Sequence, residues 1–150
     1  MLKTLLTLLL LSLTQPLWAA EYNLYLLRHA EKQDDGSKDP SLTDDGRQQG
    51  LGLARLLQHG DIQRIYSTDY RRTRETVAAL SELTGIDVQV YDPSDLYTFA
   101  KALQQRGENA VIVGHSNTTP QLIGILGGEA KAMSESDYGD LYQLQIHQSN

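Results

Sequence analysis

The chain has 150 residues, 40% of them apolar and 21% charged, with 13 Lys and Arg set against 19 Asp and Glu for a formal charge of −6. This length suits one compact domain, the composition excludes disorder and low-complexity architectures, and the negative balance argues against a nucleic-acid partner. There is no cysteine, which excludes disulfide frameworks, thiolate nucleophiles, cysteine zinc sites and iron–sulfur clusters.

The N-terminus opens with Lys3 and an apolar run over residues 5–13, interrupted only by Thr7 and Ser12. Gln15, Pro16 and the small pair Ala19-Ala20 follow. A basic start, a short apolar core and small residues at the end match a secretory signal peptide over residues 1–20, cut after Ala19 or Ala20. The run falls short of the roughly 20 apolar residues that span a bilayer. No stable membrane anchor is therefore expected, and the remaining residues 21–150 are expected as one exported domain, periplasmic or secreted.

From residue 22 the chain alternates short β-prone runs with amphipathic stretches. Residues 22–27 read as a first strand. Thr43 caps a first helix whose Gly50, Leu53, Ala54 and Leu57 step i, i+3, i+4, i+7, with Gly60 closing it. Residues 62–66 form a second predicted strand and 70–83 a second helix, with Thr76, Leu80 and Leu83 on one face and Gly85 past its end. Residues 87–91 read as a third strand. Ser94 is expected to cap a third helix that buries Leu96, Phe99, Ala100 and Leu103. Residues 110–113 are wholly apolar, as at the centre of a sheet covered on both faces. Pro120 and Gly127-Gly128 bracket a short fourth helix. Residues 141–146 alternate as a half-buried edge strand. The alternation predicts an α/β three-layer sandwich with a largely parallel central sheet flanked by helices.

In open sheets of this kind ligands bind beyond the carboxyl ends of the strands. Arg28-His29-Ala30-Glu31-Lys32 follows the first strand and Ser67-Thr68-Asp69-Tyr70-Arg71-Arg72 the second. Asp92 and Asp95 follow the third, and Gly114-His115-Ser116-Asn117 the fourth. Two histidines, several arginines and an acid thus converge on one rim. Guanidinium forks match phosphate oxygens, and imidazole serves as nucleophile, acid–base group or oxygen ligand, so the rim suits phosphoryl transfer. Taken singly, each residue has a plainer explanation. A lone histidine can close a strand, Arg71, Arg72 and Arg74 can form a solvated helix face with Glu75, Asp95 can serve a helix start, and Asp92 before Pro93 can shape a turn. His59 reads as part of a helix end and His147 carries no signal. The joint placement on one rim is what the plainer explanations fail to cover. Walker, dinucleotide, H-E-x-x-H and G-x-S-x-G motifs are absent, and the histidines lack metal-ligand spacing, so neither metal nor cofactor is expected.

Leu27-Arg28-His29-Ala30-Glu31-Lys32 resembles the R-H-G/A signature of the histidine phosphatase superfamily, whose members include phosphoglycerate mutases and acid phosphatases. Leu42-Thr43-Asp44-Asp45-Gly46-Arg47, the stretch from Tyr66 through Thr76, Val113-Gly114-His115-Ser116-Asn117-Thr118 and Tyr138-Gly139-Asp140-Leu141-Tyr142 resemble its later motifs, in the same order. The resemblance implies a phosphoglycerate mutase-like fold in a small, single-domain branch. It implies His29 as the nucleophile that takes the phosphoryl group, with Arg28, Arg72 and a cationic His115 on its oxygens and Ser116 and Asn117 near it. Arg72 rather than Arg71 heads the R-T-x-x-T segment, leaving Arg71 to the surface. For the general acid, the strand-end rule favours Asp92 over Asp95. The long insertions of mutases and large acid phosphatases are missing, which implies an open pocket and a phosphatase rather than a mutase. The expected function is a metal-independent phosphomonoester phosphatase acting on a small phosphorylated substrate or a phosphoprotein. The alternative is a non-catalytic phosphate- or phosphosugar-binding module on the same fold.

Overall fold

A computed structural model describes residues 20–148; the expected signal segment, apart from Ala20, lies outside them. The described elements run β1 (Glu21–Arg28), α1 (Asp44–Leu57), β2 (Arg64–Ser67), α2 (Arg71–Thr84), β3 (Val88–Val90), α3 (Leu96–Arg106), β4 (Ala110–Gly114), α4 (Thr118–Ile125) and β5 (Leu141–His147). The five strands form one sheet in the order β3-β2-β4-β1-β5, parallel except for β5, which runs antiparallel to β1. The α/β sandwich with a mostly parallel sheet is the fold that the alternation predicts.

Side chains alternate across the pleat, and the central strand shows the consequence. Ala110 and Ile112 of β4 join Leu24, Leu26, Leu96, Leu103 and Leu122 in one core. Val111 and Val113 join Leu53, Leu57, Val77 and Leu80 in the other. The first core lies under α3 and α4, the second under α1 and α2, and all of β4 is buried. That two-sided burial accounts for its uninterrupted apolar run.

Element ends show where local chemistry differs from the expectation. Thr43 caps α1 as expected, its hydroxyl accepting from the Gly46 amide at 3.0 Å. Gly46 lies so close to the Glu31 carbonyl oxygen that a Cβ there would overlap it. The start of α1 is therefore seated against the segment that follows β1. Gly85 ends α2 at φ 73°, the left-handed conformation glycine adopts without a Cβ penalty. Leu83 does not join the Thr76 and Leu80 face, being 57% exposed in the last turn of α2. Ser94 does not cap α3; Asp95 does, accepting from the Thr98 amide at 3.2 Å, while the Ser94 hydroxyl donates to Asp92. An aspartate cap accepts with a full charge at the positive end of the helix, which explains the one-residue shift.

Candidate active site

Strand register assembles the site. Arg28 pairs with Gly114 across β1 and β4, so the residues that follow, His29 and His115, emerge side by side at the carboxyl rim. The His29 amide donates to the Gly114 carbonyl at 2.9 Å, and the two rings lie edge to face with centroids 5.6 Å apart. Gly114 is required at this crossing. A Cβ there would stand 2.8 to 3.0 Å from the Tyr91, Thr118 and Thr119 hydroxyls. On the other side of β4, Ser67 pairs with Val113, which brings Thr68 to His115 and the first turn of α2 to the rim.

His29 is buried, 3% exposed. Its Nδ1 lies 2.8 Å from the Ala30 carbonyl oxygen, which can only accept, so Nδ1 carries the proton. Burial, followed by the nearby charges of Arg28, Arg72 and His115, pushes its pKa down to about 3. The ring is neutral at pH 7, with the Nε2 lone pair free. His115 is fixed by a hydroxyl chain. Thr73 donates to the Thr68 or Tyr70 carbonyl and Thr68 donates to Thr73 Oγ1 at 3.0 Å. That leaves the Thr68 oxygen to accept from His115 Nε2 at 2.8 Å. Burial and the charges of Arg72 and Arg28 push His115 down to about 4. His115 is thus neutral at pH 7 where a cationic ring was expected, because burial and two neighbouring guanidiniums disfavour its charge.

Two arginines complete the wall. Arg72 Nη1 lies 3.8 Å from Asp39 and its guanidinium stacks 4.4 Å from the centre of the Tyr70 ring. Arg28 is buried, with Nη1 donating to the carbonyls of Ser134, Glu135 and Asp137 at 2.8, 3.2 and 2.9 Å. The Nε groups of both arginines are buried with no hydrogen-bond partner. A buried donor left unpaired is costly, and an oxyanion between the two side chains would relieve both. Thr76 links the pieces, accepting from the Ala30 amide at 2.9 Å and donating to the Arg72 carbonyl at 2.6 Å.

The resulting cavity has a volume of about 440 Å³ and is lined by Arg28, His29, Arg72, His115, Ser116 and Asn117, with Lys32, Tyr70 and Glu135 toward its mouth. Six of the seven residues expected at the site are thereby brought together, and Arg71 faces outward beside Glu75. Asp92 is not among them. It borders a neighbouring hollow, and its Oδ1 accepts from the Ser94 amide at 2.8 Å and hydroxyl at 2.7 Å, which hold its pKa below the usual carboxylate range. The strand-end rule fails here because the chain turns at Pro93 and the carboxylate folds back to serve that turn. Asp95 is taken by the α3 cap.

Sequence reasoning did not reach Glu135, and it gave no site role to Thr73, Thr76 and Tyr138, which lie within the motifs quoted above. The threonines lie on the buried face of α2, where hydrogen-bonding side chains at helical spacing were the available signal. Tyr138, whose ring lies 4.3 Å from the Arg28 guanidinium, and Glu135 belong to the irregular segment before β5.

The histidine phosphatase superfamily (branch 1) profile matches residues 24–93. Over that segment, which carries Arg28, His29 and Arg72, the chain is similar to the histidine phosphatase superfamily. A relative described as "Probable phosphoglycerate mutase GpmB" from Escherichia coli O1:K1 / APEC is 29% identical over 122 residues, 75% of this chain and 56% of that protein. The chain spans about half the length of the curated relatives it matches, from 33% to 56% for the first three. Among solved structures, the protein histidine phosphatase SixA complexed with tungstate aligns with TM-score 0.64 and 16% identity, covering 83% of this chain and 96% of that one. Mycobacterial glucosyl-3-phosphoglycerate phosphatase aligns with TM-score 0.56 and 20% identity, over 71% and 77%. These two likenesses are of fold.

Proposed function

We propose that the protein is a phosphomonoester phosphatase that works through a phosphohistidine on His29 and requires no metal. The observation that carries this reading is the fixed tautomer of His29. A neutral ring with its proton held at Nδ1 presents a nucleophilic Nε2 beside two arginines with unpartnered donors. In the first step the Nε2 lone pair attacks phosphorus in line and the ester P–O bond breaks, its electron pair leaving on the ester oxygen. In the second, water attacks phosphorus and the P–N bond breaks, returning the pair to Nε2. Arg28, Arg72 and His115, protonated once a phosphate is bound, neutralise the equatorial oxygens. The guanidiniums supply the charge compensation that a metal would otherwise give. The substrate is a small phosphorylated molecule or a phosphoprotein, admitted by an open cavity mouth.

The test is a rapid quench with labelled phosphomonoester in EDTA, then peptide mapping. Acid-labile, base-stable label on the His29 peptide is expected, and His29→Ala should lower turnover by about 10³-fold or more. Label on the His115 peptide, or turnover lost to EDTA and restored by Zn²⁺, would overturn the mechanism. Binding of inorganic phosphate without turnover of any phosphomonoester would favour the binding-module alternative.

The reading includes export. The apolar run of residues 5–13 and the alanines at 19 and 20 support a cleaved signal peptide. Trp18 is the single tryptophan and precedes the cut. The exported protein should therefore show no tryptophan emission, and an intact mass that retains residues 1–18 would reject cleavage.

A further inference from the structure

One carboxylate faces the cavity that holds the histidines, and it is neither of the two at the end of β3. Among the residues lining that cavity, Glu135 is the single acid. Its Oε2 lies 3.3 Å from Arg28 Nη2, and its Oε1 accepts from the Ser116 hydroxyl at 3.4 Å. Both contacts are long, and the side chain is 84% exposed. The backbone beneath it is held tightly. Arg28 Nη1 binds three carbonyls of this turn, and the Asp137 carboxylate accepts from the Ser134 amide at 2.6 Å. Glu135 is thus a carboxylate on a fixed base with a free head. Asp92 and Asp95 differ, since neither lines that cavity and the Oδ1 of each is committed to a local turn or cap, to Ser94 and to the Thr98 amide respectively.

We propose that Glu135 is the acid–base group of the reaction, the catalytic residue that protonates the leaving group and then activates water. The proposal rests on the phosphatase reading above. His29 forms the floor of the cavity and Glu135 its mouth, as their 3% and 84% exposures show. An attack in line from the floor sends the leaving group toward the mouth. The Nε–H and Nη2–H of an arginine lie along one edge and grip two oxygens of one anion. On Arg28 that edge has an unpartnered Nε and an Nη2 engaged only by Glu135. An arriving phosphoryl group takes the edge and frees the carboxylate beside the ester oxygen. Protonated Glu135 gives its proton to the ester oxygen as the P–O bond breaks and the Nε2–P bond forms. Its carboxylate then takes a proton from the water that attacks phosphorus as the N–P bond breaks, which restores the starting protonation.

The experiment compares the wild type and Glu135→Gln on p-nitrophenyl phosphate and on an alkyl phosphomonoester, glycerol phosphate, with the affinity for inorganic phosphate measured on both proteins. The variant keeps the side-chain length at an exposed position, so folding is preserved. Loss of about 10²-fold or more in kcat on the alkyl ester is expected, against a few-fold on the aryl ester, whose leaving group needs no proton. Equal losses on both esters would overturn the proposal. So would a uniform gain with tighter phosphate binding, which would make Glu135 only an anionic plug on Arg28. A wild type that turns over neither ester would instead overturn the phosphatase reading, and this proposal with it.

Discussion

The cavity has two walls made in different ways. The first is the strand-end wall of His29, His115, Thr68 and Arg72. Each of its members follows a strand or opens a helix, and strand register and buried hydroxyls fix their positions. The second is the irregular segment between α4 and β5, which reaches the rim because β5 runs antiparallel to β1 and therefore starts there, Leu141 opposite Leu27. It is held to the first wall mainly through one guanidinium, that of Arg28. Backbone pairing makes the first wall rigid, whereas the second depends on a side chain that also belongs to the anion site. Under the proposed function, phosphate binding at Arg28 would therefore bear on the order of that segment.

The largest effect that separates the two walls comes from comparing the arginines. Arg28→Ala and Arg72→Ala should each cost about 10²–10³ in kcat/KM, the usual cost of losing a donor to a developing oxyanion. Only Arg28→Ala should also open residues 129–140 to proteolysis and amide exchange, because it leaves three carbonyls and the Tyr138 ring without their partner. Equal protection of that segment in the two variants would remove the distinction between the walls.

Acid is the second probe, and it acts on the first wall. His29 and His115 have folded pKa values of about 3 and about 4, below the ordinary 6.5. As pH falls from 6.5 to about 4 for His115 and about 3 for His29, the unfolded chain takes up protons that the folded chain refuses. Stability therefore decreases as the pH is lowered through that window and levels off only below about 3. The melting temperature should drop steadily from pH 7 to pH 4, while the imidazole resonances of both rings keep neutral shifts down to about pH 5. Titration of either ring near 6.5 would mean that the wall is open to water.

The same contrast explains what was legible in the sequence. Every strand and helix of the sandwich was readable, because burial on one or two faces imposes a period on the residues. The meeting of Arg28, His29 and His115 at the rim was readable too, since their positions follow from where strands end, whereas the choice of Arg72 over Arg71 came from the resemblance to the R-T-x-x-T segment. Glu135 was not, because an irregular segment carries no period and its approach to the site depends on the direction of β5 and on three long-range bonds from Arg28. Asp92 was misplaced for a related reason. Its backbone follows β3 by two residues, but Pro93 turns the chain and local bonds decide where the carboxylate goes.

The smallest expected effect is therefore at Asp92. Asp92→Asn keeps an oxygen that can accept from the Ser94 amide and hydroxyl, so its melting temperature should stay close to that of the wild type. Its carboxylate borders the hollow beside Tyr66, Tyr91 and Phe99 rather than the cavity of His29. The ratio of alkyl to aryl phosphomonoester turnover should then match that of the wild type, with kcat changed less than about 3-fold. A general acid loses about 10²–10⁴-fold on a poor leaving group when it is neutralised, so the two outcomes are well separated. A selective loss on the alkyl ester in Asp92→Asn would mean that the turn at Pro93 swings the carboxylate into the site when substrate binds. The acid would then belong to the end of β3 and not to the segment that Arg28 holds.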